Sequence, residues 1–244
     1  MLWLLERIEY LQYDAVMALL PRISAERRER VLRIQDKSTR IQSVAAELLL
    51  RYALREEYGI KALPKIELGE NGKPFFFDNP QICFNLSHCK TAAACGLDAL
   101  PVGVDVQETG CLRGERRTAE LRYHLPREKT DPAGSAQTEE ELHSLLWVLH
   151  SEERAWVLSG ASADERERRF LTVWTYKEAY GKAKGIGILY ELDQFNFLPC
   201  IEGASQYGLR FLSWFRKDTV LTLCAQTPLD LQVVSIHHLI ASDL

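Results

Sequence analysis

The sequence lacks the features by which several function classes announce themselves. None of its six cysteines (Cys83, Cys89, Cys95, Cys111, Cys200 and Cys224) forms a Cys-x-x-Cys pair or stands at zinc-finger spacing from a histidine, which argues against a zinc finger and a thioredoxin-like redox pair. Three of them lie in apolar, strand-like runs where a free thiol behaves as a small hydrophobe, so the reading is a reduced, cytoplasmic protein. No P-loop and no Gly-rich dinucleotide fingerprint occurs, which counts against the commonest nucleotide sites. Positive charge is not in excess: 30 Lys and Arg against 34 Asp and Glu leave a net charge of −4. No global field therefore draws the chain to nucleic acid, and an anionic ligand needs a local cluster of cations. The N-terminal "MLWLLERIEY" is interrupted by Glu6, Arg7 and Glu9, too soon for a signal peptide or a membrane span. No low-complexity tract breaks the 244 residues, of which 46% are hydrophobic, a globular composition long enough for one large domain or two small ones.

What is present reads as alternating blocks of helix and strand. Residues 2–9 alternate like a strand; 24–34 and 38–60 read as helices, with Ser24 as an N-cap and Gly59 as a left-handed C-cap. Strands are expected at 65–69, 74–77, 82–87, 91–97 and 101–107, the first of them separated by turn chemistry at Asn71-Gly72 and Asp78-Asn79-Pro80. Residues 109–138 are polar and read as an excursion. Helices follow at 139–149, 151–158 and 164–183, and antiparallel strands near 194–198, 208–215, 219–225 and 231–238. Both halves run helices first and strands after, an echo that suggests an α+β fold of two similar halves, divided at 1–104 and 105–244.

Two short stretches carry the chemistry. In "VGVDVQE" (102–108), read as a strand, Asp105 and Gln107 share one face while Val104 and Val106 take the other. A carboxylate there needs a cation, a metal or a loop backbone to bury against; taken alone, the last suffices. In "VWTYKEAYGKAKGIG" (173–187), Glu178 and Lys182 are neighbours one helical turn apart. An exposed pair of this kind contributes about 0.3–0.5 kcal/mol. The ending differs from a plain packing helix: Lys182, Lys184, Gly185 and Gly187 form a basic terminus where a substrate can approach the backbone closely.

Together these stretches resemble the paired signatures of the surfactin-type 4'-phosphopantetheinyl transferases, Gly-(Val/Ile)-Asp-(Val/Ile)-Glu followed by Trp-x-x-Lys-Glu-Ala-x-x-Lys. "GKP" at 72–74 and "FNLSH" at 84–88 fall in the family's order before them. The resemblance covers most of the chain and thins over 109–150 and after 200. It implies transfer of the phosphopantetheine arm of coenzyme A to a carrier-protein serine, with release of adenosine 3',5'-bisphosphate. It also implies a pseudo-dimer of two α+β halves, each with helices on a small antiparallel sheet, and coenzyme A in the cleft between them. Mg²⁺ suits such a reaction, being a hard cation held by one or two carboxylates, phosphates and waters.

On this resemblance Asp105 and Glu178 bind the metal, one from each half, and Gln107 stands where the family has a second acid. Glu178 is the expected proton acceptor for the serine, and Lys182 orients the hydroxyl or offsets phosphate charge; as the base itself, Lys182 would need a depressed pKa. The basic helix aligns with the family's phosphate-binding segment, so Arg27 and Arg30 become candidates for the 3'-phosphate of coenzyme A. Gln42 aligns with a family arginine, and Arg40 is the candidate replacement. Lys73 is expected at the adenine and phosphate end, Ser87 and His88 as phosphate ligands, and Lys177 among the coenzyme A contacts. Ser87 and His88 diverge from adjacent strand positions and cannot form a nucleophile–base pair with each other. Phe75, Phe76 and Phe77 are expected to pack on the first sheet. The carrier protein, acyl or peptidyl, is expected to meet the basic segment 112–129, which otherwise reads as a solvated excursion. A monomer is expected. The alternatives are a different Mg²⁺-dependent enzyme acting on a nucleotide diphosphate and a non-catalytic binder of coenzyme A or carrier.

Overall fold

The computed structural model describes residues 1–69, 71–110, 138–186 and 191–241. The basic segment 112–129, most of the expected excursion at 109–138, Cys111 and Gly187 lie outside the described residues. The strands are β1 (Leu2–Glu6), β2 (Ile66–Leu68), β3 (Pro74–Phe76), β4 (Cys83–His88), β5 (Ala92–Asp98), β6 (Gly103–Glu108), β7 (Arg210–Arg216), β8 (Thr219–Ala225) and β9 (Leu231–Val234). The helices are α1 (Tyr13–Met17), α2 (Ala25–Arg33), α3 (Lys37–Tyr58), α4 (Thr138–Leu145), α5 (Ser151–Leu158), α6 (Ala163–Lys184), α7 (Leu198–Ile201) and α8 (Ile236–Ala241). The result is a mixed α+β protein.

Among the described residues three sheets form, ordered β4-β5-β1-β9, β2-β3 and β6-β8-β7. The first and third stack into the middle of a four-layer arrangement. In β1, Trp3 and Leu5 point into the core built with α3, while Leu2 and Leu4 point into a second core against Val104, Val106, Leu221 and Leu223. Burial on both faces explains why β1 is apolar at every position from Leu2 to Leu5. Across the far face of the third sheet lies α6. It presses so close to β6 that a Cβ on Gly103 would stand 1.9 Å from the Ala179 carbonyl oxygen, so only glycine fits.

The long helices begin and end where their sequences say they should. Ser24 accepts from the Arg27 N–H at the start of α2 and Asp36 from Thr39 at the start of α3; Gly59 closes α3 at φ 67°. Four expectations are corrected. Strand β1 stops at Glu6 because Arg7 turns into the left-handed region at φ 64° and a 3₁₀ turn follows at Ile8–Tyr10. Residues 194–198 form no strand: a 3₁₀ turn at Leu192–Gln194 leads to α7, with Pro199 in its first turn. Only 231–234 of the expected last strand is extended, and it pairs parallel with β1, so the last strand joins the first sheet. Of the three phenylalanines only Phe76 is buried, stacked on Phe84 at 4.3 Å, whereas Phe75 and Phe77 are exposed on the β2–β3 ribbon.

Candidate active site

A cleft of about 440 Å³ opens between α6 on one side and α2, the β2–β3 ribbon and β4 on the other. Its basic wall comes from α2. Arg27 and Arg30, three apart on that helix, both border the cleft. Arg27 is held by Glu47 of α3, whose Oε2 stands 3.3 Å from its Nε. Burial lowers the Arg27 guanidinium below its usual value, with Glu47 opposing that shift. The same Glu47, itself almost wholly buried, accepts from the Ser24 hydroxyl at 2.9 Å and from Arg51 at 3.5 Å. Sequence reasoning missed Glu47, which lies in the leucine-rich middle of α3 and is linked to Arg27 only through the fold.

The opposite wall is the last turn and a half of α6. Glu178 and Lys182 border the cleft, and Asp105 lies beneath them on β6, 1% exposed. The Lys182 ammonium sits 2.5 Å from Asp105 Oδ1. Ser87 donates to the same oxygen at 2.9 Å, and Gln107, on the same strand face as expected, donates its amide to Oδ2 at 3.0 Å. Burial depresses the Lys182 ammonium, but Asp105 and Glu178 together outweigh it and hold it above the usual lysine value. Glu178 is pushed up to about 7, first by burial and then by Asp105, with Lys182 pulling the other way. The Lys182 ammonium thus pairs directly with Asp105 and acts on Glu178 through its charge.

That charge balance tests the fit of a divalent ion. Among the described residues no three His, Cys, Asp or Glu side chains are gathered as a metal cluster. The donors at hand are two carboxylates and the Gln107 amide, all hard oxygen ligands of the type Mg²⁺ takes together with phosphates and waters. Lys182 already occupies one carboxylate oxygen as a cation. By their chemistry these oxygens suit a hard divalent ion.

The remaining candidates divide. His88 is exposed and borders the cleft, its Nδ1 3.1 Å from Gln42 Oε1, so the position aligned with a family arginine instead holds the histidine ring. Lys73 borders the cleft with its stem over Gly185, but its ammonium donates to Ala183 O at 2.6 Å and Val102 O at 3.5 Å, capping the C-terminus of α6. Arg40 does not border the cleft. Its guanidinium donates to Ile34 O, Leu32 O and the Tyr13 hydroxyl, closing the end of α2, so it is no replacement for an arginine at 42. Lys177 borders the cleft, but its charged end is turned inward. Its ammonium is fully buried, 2.8 Å from Glu153 and donating to Leu192 O and Phe195 O, which uses all three of its N–H groups. It ties α5, α6 and the 192–197 turn together, and the partner at Glu153 was not visible in the sequence. Lys184 points elsewhere, to Tyr207 O.

The sequence model of the 4'-phosphopantetheinyl transferase superfamily matches residues 101–227, which include β6 and α6. A 4'-phosphopantetheinyl transferase of Bacillus subtilis is 25% identical over 175 residues, covering 71% of this chain and 65% of its own length. A 4'-phosphopantetheinyl transferase of Paxillus involutus is 27% identical over 212 residues, 82% of this chain and 74% of that protein. A phosphopantetheinyl transferase of Thraustochytrium is 28% identical over 204 residues, 80% and 64%. The chain thus spans slightly less than two thirds of the Bacillus relative it matches. With the match covering more than half of its residues, the chain belongs to the 4'-phosphopantetheinyl transferase superfamily.

Proposed function

We propose that this chain moves the 4'-phosphopantetheine arm of coenzyme A onto a serine of an acyl or peptidyl carrier protein, with Mg²⁺, releasing adenosine 3',5'-bisphosphate. The observation that carries this reading is the Lys182–Asp105–Glu178 cluster on one wall of a cleft whose other wall presents Arg27 and Arg30. The names of the relatives support the same reaction. In this reading the two helix-and-sheet units are the halves of a pseudo-dimer divided near residue 104, with β9 returning to the first half and coenzyme A between them. The working form is a cytoplasmic monomer.

Displacement at a diphosphate spreads negative charge over oxygens, and the protein's task is to hold and offset it. Arg27 and Arg30 take the 3'-phosphate end, and His88 stands at the cleft wall for a second phosphate contact. Lys182, held charged by Asp105, offsets charge at the reacting end. Asp105 and Glu178, with the Gln107 carbonyl oxygen, would hold Mg²⁺, which would supply positive charge against the pyrophosphate. In this reading Glu178, which borders the cleft, accepts the serine proton as the serine oxygen bonds to phosphorus and the phosphorus–oxygen bond to adenosine 3',5'-bisphosphate breaks. A positioned base of this kind contributes about 10²–10⁴-fold.

The test is a mass spectrum of an apo carrier protein incubated with the chain, coenzyme A and Mg²⁺. The expected outcome is a gain of about 340 Da on the serine, the mass of a covalently attached phosphopantetheine. No gain on any of several carriers, with coenzyme A still bound, would replace the enzyme by a non-catalytic binder.

A further inference from the structure

The two sheets meet most closely where β4, the edge of the first, runs beside β6, the free edge of the third. An edge strand carries unpaired N–H groups that must find partners when buried. Here side chains replace the missing strand. Asn85 Oδ1 accepts from the Val104 N–H at 2.9 Å, and Ser87 Oγ accepts from the Val106 N–H at 3.2 Å. The two acceptors are two residues apart on β4 and the two donors two apart on β6, so the period of one strand meets the period of the other.

Ser87 does more than close this seam. Its hydroxyl donates to Asp105 Oδ1 at 2.9 Å, and the Lys182 ammonium lies 3.3 Å from its oxygen. A hydroxyl has one proton to give and two lone pairs to fill. The proton goes to Asp105; the lone pairs face Val106 N–H and Lys182. The side chain is buried and does not border the cleft, whereas the adjacent His88 is exposed and does. No hydrogen-bonding capacity is left on Ser87 for a phosphate, contrary to its expected role.

We propose that Ser87 is a positioning residue: through the β4–β6 seam it fixes the Asp105 carboxylate under Lys182, so that the geometry of the acid–cation pair depends on how the two sheets are joined. The kinetic part of this inference rests on the proposed transferase reaction; the contact itself does not.

The experiment has two arms. In carrier-modification kinetics, Ser87→Ala lowers kcat by about 10–100-fold while the KM and Kd for coenzyme A change less than threefold, and Ser87→Thr, which keeps the hydroxyl, recovers most of the rate. Val234→Ala, on the far edge strand, loses stability without losing kcat, which separates positioning from general loosening. Ser87→Cys, of similar volume but a weaker donor, repeats the measurement should Ser87→Ala fail to fold. A raised KM and Kd at unchanged kcat would make Ser87 a phosphate ligand and overturn the proposal, as would wild-type kinetics. The second arm is a double-mutant cycle in denaturant unfolding between Ser87→Ala and Asp105→Asn. The double variant is destabilised by less than the sum of the singles; strict additivity would overturn the contact. Should the unmodified chain transfer nothing, the proposed function fails on its own and the cycle still decides the contact.

Discussion

Helices α3 and α6 are each 22 residues long, each begins at a side-chain N-cap (Asp36 and Ser162), and each stops at a glycine with φ 67°. Each lies on the outer face of one of the two stacked sheets, and there the likeness ends. On α3 the buried charged group, Glu47, holds Arg27 of α2, and apolar residues such as Val44, Leu48 and Leu49 make the sheet contact. On α6 the same kind of surface carries Lys177, Glu178 and Lys182 within six positions. What separates the two helices is the fate of those charges. Lys177 meets three acceptors and becomes a fixed strut, whereas Lys182 pairs with Asp105 beside Glu178, whose carboxyl is pushed up to about 7, first by burial and then by Asp105 against the pull of Lys182. One helix is a scaffold; the other is a scaffold carrying an incomplete charge balance at the cleft.

The sharpest way to break this contrast is to remove the incomplete part. Asp105→Ala and Glu178→Ala are each expected to lower transfer by about 10²–10³-fold or more, the scale of losing one electrostatic group at a reacting phosphate, with the circular dichroism of the fold preserved. Retained activity in either variant, measured as holo-carrier formed per minute, would dissociate the cluster from the chemistry. Lys177→Met probes the other lysine of the same helix. Removing one partner of a buried pair destabilises by about 3–5 kcal/mol, so the urea midpoint should fall steeply while the folded fraction keeps its coenzyme A affinity. A large loss of affinity at unchanged stability would return Lys177 to the ligand contacts.

Much of this arrangement could be read from the chain itself. Both long helices, the caps at Ser24 and Gly59 and the order of the first six strands follow from local pattern, because Ser24, Asn71-Gly72 and Gly59 act on their immediate neighbours. Asp105 and Gln107 share a face because strands alternate, whatever surrounds them. What local pattern does not contain is the partner of each charge. Lys177 looks like a ligand until Glu153, twenty-four positions earlier, is placed beside it, and Arg40 looks available until the end of α2 turns back over it. The parallel pairing of β9 with β1 is hidden for the same reason: residues 231–234 show an extended run, and nothing in them says which sheet will take it.

A smaller effect sharpens the comparison from the α2 side. Arg27 is fixed by Glu47, so its guanidinium presents a held geometry to an anion, and a charge-assisted contact of this kind is worth about tenfold in affinity. Arg27→Ala should weaken coenzyme A by about that factor and 3'-dephospho-coenzyme A much less, as read by calorimetric titration of both. Equal losses for the two ligands would show that Arg27 does not read the 3'-phosphate.

The smallest change is expected at Gln107, and its sign depends on the metal. The Gln107 amide donates to Asp105 Oδ2. Gln107→Glu replaces that donor with a second carboxylate beside the first, and like charges in contact oppose each other. The melting temperature measured in chelator should therefore fall. Adding Mg²⁺ supplies the missing positive charge, so the same variant should regain most of that loss and gain more from the metal than the unmodified chain does. Transfer at saturating Mg²⁺ should stay within about threefold, the range of a mild electrostatic change. A variant that melts identically with and without Mg²⁺ would mean that no divalent ion sits beside Asp105, and the contrast between α3 and α6 would then rest on Lys182 alone.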